Sequence, residues 1–134
     1  MSNQRNNESK IIARRSCNIY SNQKRRARQQ GIALDYSPKQ FRALAEQQVG
    51  RACPYCCEGL TAKNFSADHR QPVSRSGKHE IDNLVICCER CNQTKGMMND
   101  LEFIDLLNCL DHFPPNVRRD VLARLRAGGR WFRN

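Results

Sequence analysis

Two Cys-x-x-Cys pairs constrain this chain more than any other feature in it: Cys53-Pro54-Tyr55-Cys56 and Cys88-Glu89-Arg90-Cys91. Two residues between thiols allow a tight knuckle that aims both sulfurs at one ion. Two such knuckles complete a closed, tetrahedral four-cysteine set of the structural zinc kind. Part of the metal-binding free energy then becomes folding free energy, so this region is expected to unfold without Zn2+. The adjacent Cys57 and Cys87 also permit three-residue spacings, Cys53/Cys57 or Cys87/Cys91. The two-residue spacing is preferred on both sides, which leaves Cys87 as a small buried hydrophobe on a strand. A dithiol redox role competes, but its usual signature is one pair rather than two. Cys17 and Cys109 read most simply as packed thiols.

A chain of this composition needs such a staple. Of its 134 residues 39% are hydrophobic and 7% aromatic, and the mean hydropathy is -0.77, a lean core for one domain. No apolar run approaches the roughly 20 residues of a membrane span. The polar N-terminus has no apolar signal region. Membrane, collagen-like and fully disordered classes fit poorly. A reducing cytoplasm is the expected setting, so the eight cysteines are not read as a disulfide framework. Net charge is +10, and residues 1–31 hold eight basic residues against one acidic. Such a basic block suits a polyanion that releases counterions on contact, with nucleic acid ahead of an anionic membrane. A solvated helix that only aids solubility is the bland alternative.

Local patterns suggest four stretches. Residues 1–9 are polar and expected as a disordered tail. Residues 10–50 form a basic helical arm: one or two helices ending near Gly31, then a helix capped by Ser37-Pro38 and burying Phe41, Leu44 and Ala45. Residues 51–98 are short and irregular. Strands are expected at 65–69 and 83–87, a turn-rich loop at Pro72–Lys78, and a short helix from near Asn92. Residues 99–134 hold a helix opened by an Asn99/Glu102 capping box, with Leu101, Ile104, Leu106, Leu107 and Leu110 as its apolar positions. A last helix carries Val117, Val121, Leu122 and Leu125, and a basic tail follows Gly128-Gly129.

Between the knuckles lie Asp68-His69 and Asp82-Asn83-Leu84, and Asn92 directly follows Cys91. With Lys95-Gly96 behind them, these residues resemble the HNH endonuclease family over about residues 50–98. The variant is the one whose last position is Asn, and the flanks resemble small phage and bacterial members. The resemblance implies a small α+β fold: a ββα-metal core with a structural zinc site at Cys53, Cys56, Cys88 and Cys91, flanked by N- and C-terminal helices. It also implies a metal-dependent endonuclease, a hydrolase of DNA phosphodiester bonds leaving 5′-phosphate and 3′-hydroxyl ends.

In that scheme His69 is the general base, since a neutral imidazole is well populated at neutral pH. Asp68 and Asn92 hold one catalytic cation through hard oxygens, which favours Mg2+ or Mn2+. Neighbours on a strand point to opposite faces, so Asp68 and His69 can serve one site only if the strand bends or ends there. Asn83 fixes the loop through backbone hydrogen bonds and so orients the base. Phosphate contacts are assigned to Arg14, Arg15, Lys24, Arg25, Arg26 and Arg28, while Arg70 and Lys95 fit phosphate contact and solvated charge equally well. His79 and His112 fall outside the pattern, as a loop residue and a helix-end residue. The expected partner is double-stranded DNA, cut as nicks or with low specificity by a monomer or a dimer. The competing function is a non-catalytic zinc module that binds DNA or RNA.

Overall fold

A computed structural model describes residues 2–128. Met1 and residues 129–134, which include the expected basic tail, lie outside the described residues. Among those described, the order is α1 (Ser2–Gln30), α2 (Pro38–Gln48), β1 (Phe65–His69), β2 (Leu84–Cys88), α3 (Glu89–Lys95), α4 (Asp100–Leu110) and α5 (Pro115–Arg126). The fold is small α+β, with five helices around one two-stranded antiparallel sheet. No described helix is long and apolar enough to cross a membrane.

Local chemistry sets most of the element ends. Ser37 and Gln40 form a reciprocal capping box at α2, with Pro38 in its first turn. Asn99 and Glu102 do the same for α4. α1 stops at Gly31, whose φ of 68° is the left-handed conformation that glycine adopts at low cost. Gly77 is required for a different reason. A Cβ there would meet the Gln71 carbonyl oxygen at 1.8 Å, so the 72–77 turn closes only around a residue without a side chain.

Four expectations change. Residues 2–9, read as a disordered tail, continue α1 as its first turns. Once downstream residues fix a helix, each further turn adds hydrogen bonds without a new nucleation cost. The short helix starts at Glu89, not near Asn92. Cys88 is its N-cap, and the Cys91 backbone N–H donates to the Cys88 sulfur, so the second knuckle is itself the first helical turn. On α4 the buried face is Phe103, Leu107 and Leu110, while Leu101 and Ile104 are exposed. On α5, Val117 and Leu125 are likewise exposed, and Leu122 makes the packing contact with the core.

β1 and β2 pair in the register Phe65–Cys88, Ala67–Ile86 and His69–Leu84. All five residues of β2 are buried, because α2 packs against the hairpin as well. The core joins Ile12, Phe41, Ala45, Phe65, Ile86, Phe103 and Leu107. α1 lies on this core through Ile12, Ser16, Gln23 and Ala27, a helical face of which two members are polar. Tyr36 donates to Gln23 at 2.5 Å, and Arg15 donates through Nε to the Phe65 carbonyl at 2.7 Å. The basic arm is therefore docked along the strand that carries Asp68 and His69.

Candidate metal clasp and active site

The two knuckles meet. The sulfurs of Cys53, Cys56, Cys88 and Cys91 all lie within 4.8 Å of one another. Cys56 and Cys88 are 3.7 Å apart, against roughly 3.8 Å along the edge of a tetrahedral zinc–thiolate site. The Cys88 and Cys91 backbone N–H groups donate to the sulfurs of Cys53 and Cys88, at 3.4 Å each. A hydrogen bond from Cys91, with help from the backbone N–H groups of Cys56, Cys88 and Tyr55, holds Cys53 down to about 4. The same contact with Cys53, together with burial, pushes Cys91 well above the usual thiol range. Sulfurs this close resist ionising together, which is the charge problem a divalent cation removes. Distance, donor set and supporting N–H groups all fit zinc.

The four other cysteines take other places, and Cys17 and Cys109, read as packed thiols, are exposed. Cys87 is fully buried on β2, and burial raises its thiol far above the ordinary range. Cys57 is exposed at φ 66°, and its N–H donates to the Cys53 carbonyl at 2.9 Å, so its backbone closes the first knuckle.

β1 ends at His69. Asp68, His69 and Asn92 all line one cavity of about 530 Å3. Its far wall is α1, with Arg15, Asn18, Asn22 and Arg26. Asn92 donates through its amide nitrogen to the Ser66 hydroxyl at 2.7 Å and the Ala67 carbonyl at 3.3 Å. The atom left for a cation is its amide oxygen. Asp68 could supply a second hard oxygen, and such donors suit a hard divalent cation.

His69 is half-buried beside His79, Lys95 and Arg26. Burial, then His79, Lys95 and Arg26, bring its imidazole down to about 4, so the ring is neutral at neutral pH. Asn83 is tied entirely into the loop. Its amide nitrogen donates to the Gln71 and Lys78 carbonyls at 3.0 and 2.9 Å, and its amide oxygen accepts from the Gln71 N–H at 3.0 Å. Its own carbonyl accepts from Arg70 N–H at 2.8 Å, one residue beyond His69.

The basic residues divide. Arg15 and Arg26 line the cavity, though Arg15 is also paired with Glu89 at 3.5 Å and lies over the Phe65 ring. Arg14 borders a separate groove beside Ala62 and Lys63. Lys24, Arg25 and Arg28 are exposed on α1 away from the cavity lining. Arg70 also lies off the cavity, partly exposed and paired with Asp100 at 3.4 Å. Lys95 does not act as a surface phosphate contact. Its side chain is wholly buried, 2.8 Å from the Asp68 carboxylate and 2.9 Å from the His69 carbonyl. Burial raises the Asp68 carboxyl above its ordinary value, and the Lys95 ammonium works against that rise.

Sequence reasoning missed Tyr55 and His79 as members of this site and gave Lys95 a surface role. Tyr55, inside the first knuckle, donates to Asp68 at 3.4 Å and so joins the thiol cluster to the cavity. Lys95 announces itself in the sequence only as a charge. His79 is buried, with Nδ1 3.1 Å from His69 Nε2. Its spacing to His69 in the chain fits no ligand pattern, so nothing local singles it out.

A β-hairpin and short helix gather four thiols at one end, and Asp68, His69 and Asn92 line one cavity beside them. Residues 53–108 match the family model described as HNH endonuclease. Over 57 residues the chain is 37% identical to a CRISPR-associated endonuclease Cas9 of Corynebacterium diphtheriae. That stretch is 42% of this chain and 5% of that much longer protein.

Proposed function

We propose that the chain is a divalent-metal-dependent endonuclease that hydrolyses phosphodiester bonds of double-stranded DNA. The observation that carries this reading is the shared cavity of Asp68, His69 and Asn92. His69 accepts a proton from a water molecule as that water's oxygen attacks phosphorus. The bond to the 3′ oxygen breaks, leaving a 5′-phosphate on one fragment and a 3′ oxygen that takes a proton from solvent on the other. A cation held by Asp68 and Asn92 would neutralise phosphoryl charge and stabilise the leaving oxygen. Asn83 keeps the loop after His69 in place. Zinc at the four thiols would be structural.

Docked against the cavity, Arg26 and the exposed face of Arg15 are placed to meet phosphates flanking the cut. Arg14, Lys24, Arg25 and Arg28 add attraction that is blind to sequence. This supports nicking with low intrinsic specificity. One cavity cuts one strand, so a double-strand break needs a dimer or two encounters. Residues 10–50 thus serve as a substrate-facing arm, 51–98 as the catalytic core and 99–134 as its buttress. A thiol-rich, zinc-clasped chain suits the reducing cytoplasm of a bacterium, or a phage gene expressed there.

Supercoiled plasmid with Mg2+ or Mn2+ tests the proposal. Relaxed circles that disappear in His69→Ala, at unchanged zinc content, are expected; plasmid left intact with both ions overturns it. One observation favours a non-catalytic zinc module that binds DNA or RNA: Lys95 already neutralises Asp68 at 2.8 Å. Retention of labelled DNA or RNA without cleavage is the result that reading requires.

A further inference from the structure

His79 stands beside the reacting ring and has no part in the scheme above. Its Nδ1 lies 3.1 Å from His69 Nε2, and the two rings meet edge to face with centroids 4.9 Å apart. Its other nitrogen, Nε2, lies 3.4 Å from Oε1 of Gln30, the last residue of α1. The backbone around it is fixed as well. The His79 carbonyl accepts from Asp35 N–H at 2.8 Å, and the Lys78 carbonyl accepts from Asn83 at 2.9 Å. His79 is 4% exposed, so water does not compete freely for its ring.

The hydrogen-bonding roles follow from one acceptor. An amide oxygen can only accept, so His79 Nε2 must carry the proton in that contact. In a neutral ring Nδ1 then holds the lone pair and accepts. His69 Nε2 faces that lone pair, so it must donate. A neutral His69 protonated at Nε2 has its basic lone pair on Nδ1.

We propose that Gln30 and His79 are positioning residues that fix the tautomer of His69, leaving Nδ1 as the atom that takes the proton from the attacking water. The catalytic meaning of this relay rests on the nuclease reading; the tautomer itself does not. In the reaction the water O–H bond breaks, its proton passes to Nδ1, and its oxygen bonds to phosphorus. His69 is then doubly protonated, and its Nε2–H remains on His79 Nδ1. The proton returns to solvent after the 3′ oxygen leaves. The relay also gives the arm a chemical role. The final side chain of α1 reaches the general base through one ring, so docking of α1 and readiness of the base are linked.

The decisive measurement is a long-range 1H–15N spectrum of the zinc-loaded full chain labelled at its three histidines. His69 is expected as the Nε2–H form, with His79 also protonated at Nε2. A His69 ring protonated at Nδ1 overturns the proposal whether or not the protein cuts DNA. In plasmid nicking, His79→Phe removes the acceptor while filling the space. It should lower kcat by about ten- to a hundredfold with KM little changed, as loss of an orienting partner does. His79→Asn, whose amide oxygen falls near the position of Nδ1, should recover most of the rate and the Nε2–H form of His69. Equal loss in both variants at native zinc content overturns the relay. A native protein that leaves DNA intact with both ions defeats the nuclease reading alone, and the spectrum still decides the tautomer.

Discussion

The four-thiol cluster and the polar cavity share one helix yet are built on opposite terms. α3 gives Cys91 to the first and Asn92 to the second. At the cluster, four soft ligands leave no open position, three of the four cysteines are buried, and backbone N–H groups support the sulfurs. At the cavity, the proposed ligands Asp68 and Asn92 would offer a cation two hard oxygens and leave most of its coordination shell to water and substrate, with Arg15 and Arg26 on the surrounding wall. With metal bound, the first arrangement would store binding energy as fold, while on the proposed reading the second would keep binding weak so that the substrate completes the site. On the proposed reading, neighbouring residues on seven residues of helix would divide stability from chemistry.

Removing the clasp is the most severe way to break that division. Structural zinc contributes about 10–16 kcal/mol of apparent binding free energy in small domains. Chelation or Cys91→Ser should therefore collapse the NMR dispersion of residues 53–98, together with any cleavage. Unchanged dispersion after chelation would show that the hairpin stands without metal.

On the cavity side, His69→Ala should lower cleavage by about 10²–10⁴-fold, the range for a lost general base, while the melting temperature stays near native. A parallel loss of stability would mean that the imidazole belongs to the fold rather than to the chemistry. Lys95→Met tests the boundary between the two. It leaves the buried Asp68 carboxylate without its ammonium, which costs about 3–5 kcal/mol where a buried pair is broken; urea denaturation measures it. A change within 0.5 kcal/mol, roughly the scatter of neutral surface substitutions, would mean that Asp68 is not charged in the resting protein. The mildest change is Arg26→Ala. It should reduce the salt dependence of DNA binding by about one phosphate contact, read as the slope of log K against log salt, with zinc content and unfolding midpoint unaltered. A slope equal to the native one would remove Arg26 from the interface.

How much of this is legible in the sequence follows the range of the interactions. The strand 65–69, the Ser37 cap and the Asn99/Glu102 capping box are local, and their residue types announce them. The thiol pairs are distant in sequence but carry their own spacing signal. The docking of α1 carries none. Its buried positions are Ile12, Ser16, Gln23 and Ala27, spaced as one helical face but half polar, so no apolar stripe marks them. Arg15 reaches the Phe65 carbonyl across 50 residues, and His79 meets Gln30 across 49. Contacts of that kind have no local pattern. Lys95 escapes sequence reasoning because burial of a lysine depends on a carboxylate 27 positions earlier in the chain, known only once the hairpin and α3 are assembled.

Cys88 closes β2, caps α3 and offers a sulfur to the cluster. Asn92 follows it by about one helical turn, roughly 6 Å along the axis. Damage to that single atom, by alkylation or peroxide, would travel along a rod too short to bend and displace the amide oxygen on the next coil. The sulfur cluster and the position of Asn92 thus share Cys88 as a common pivot.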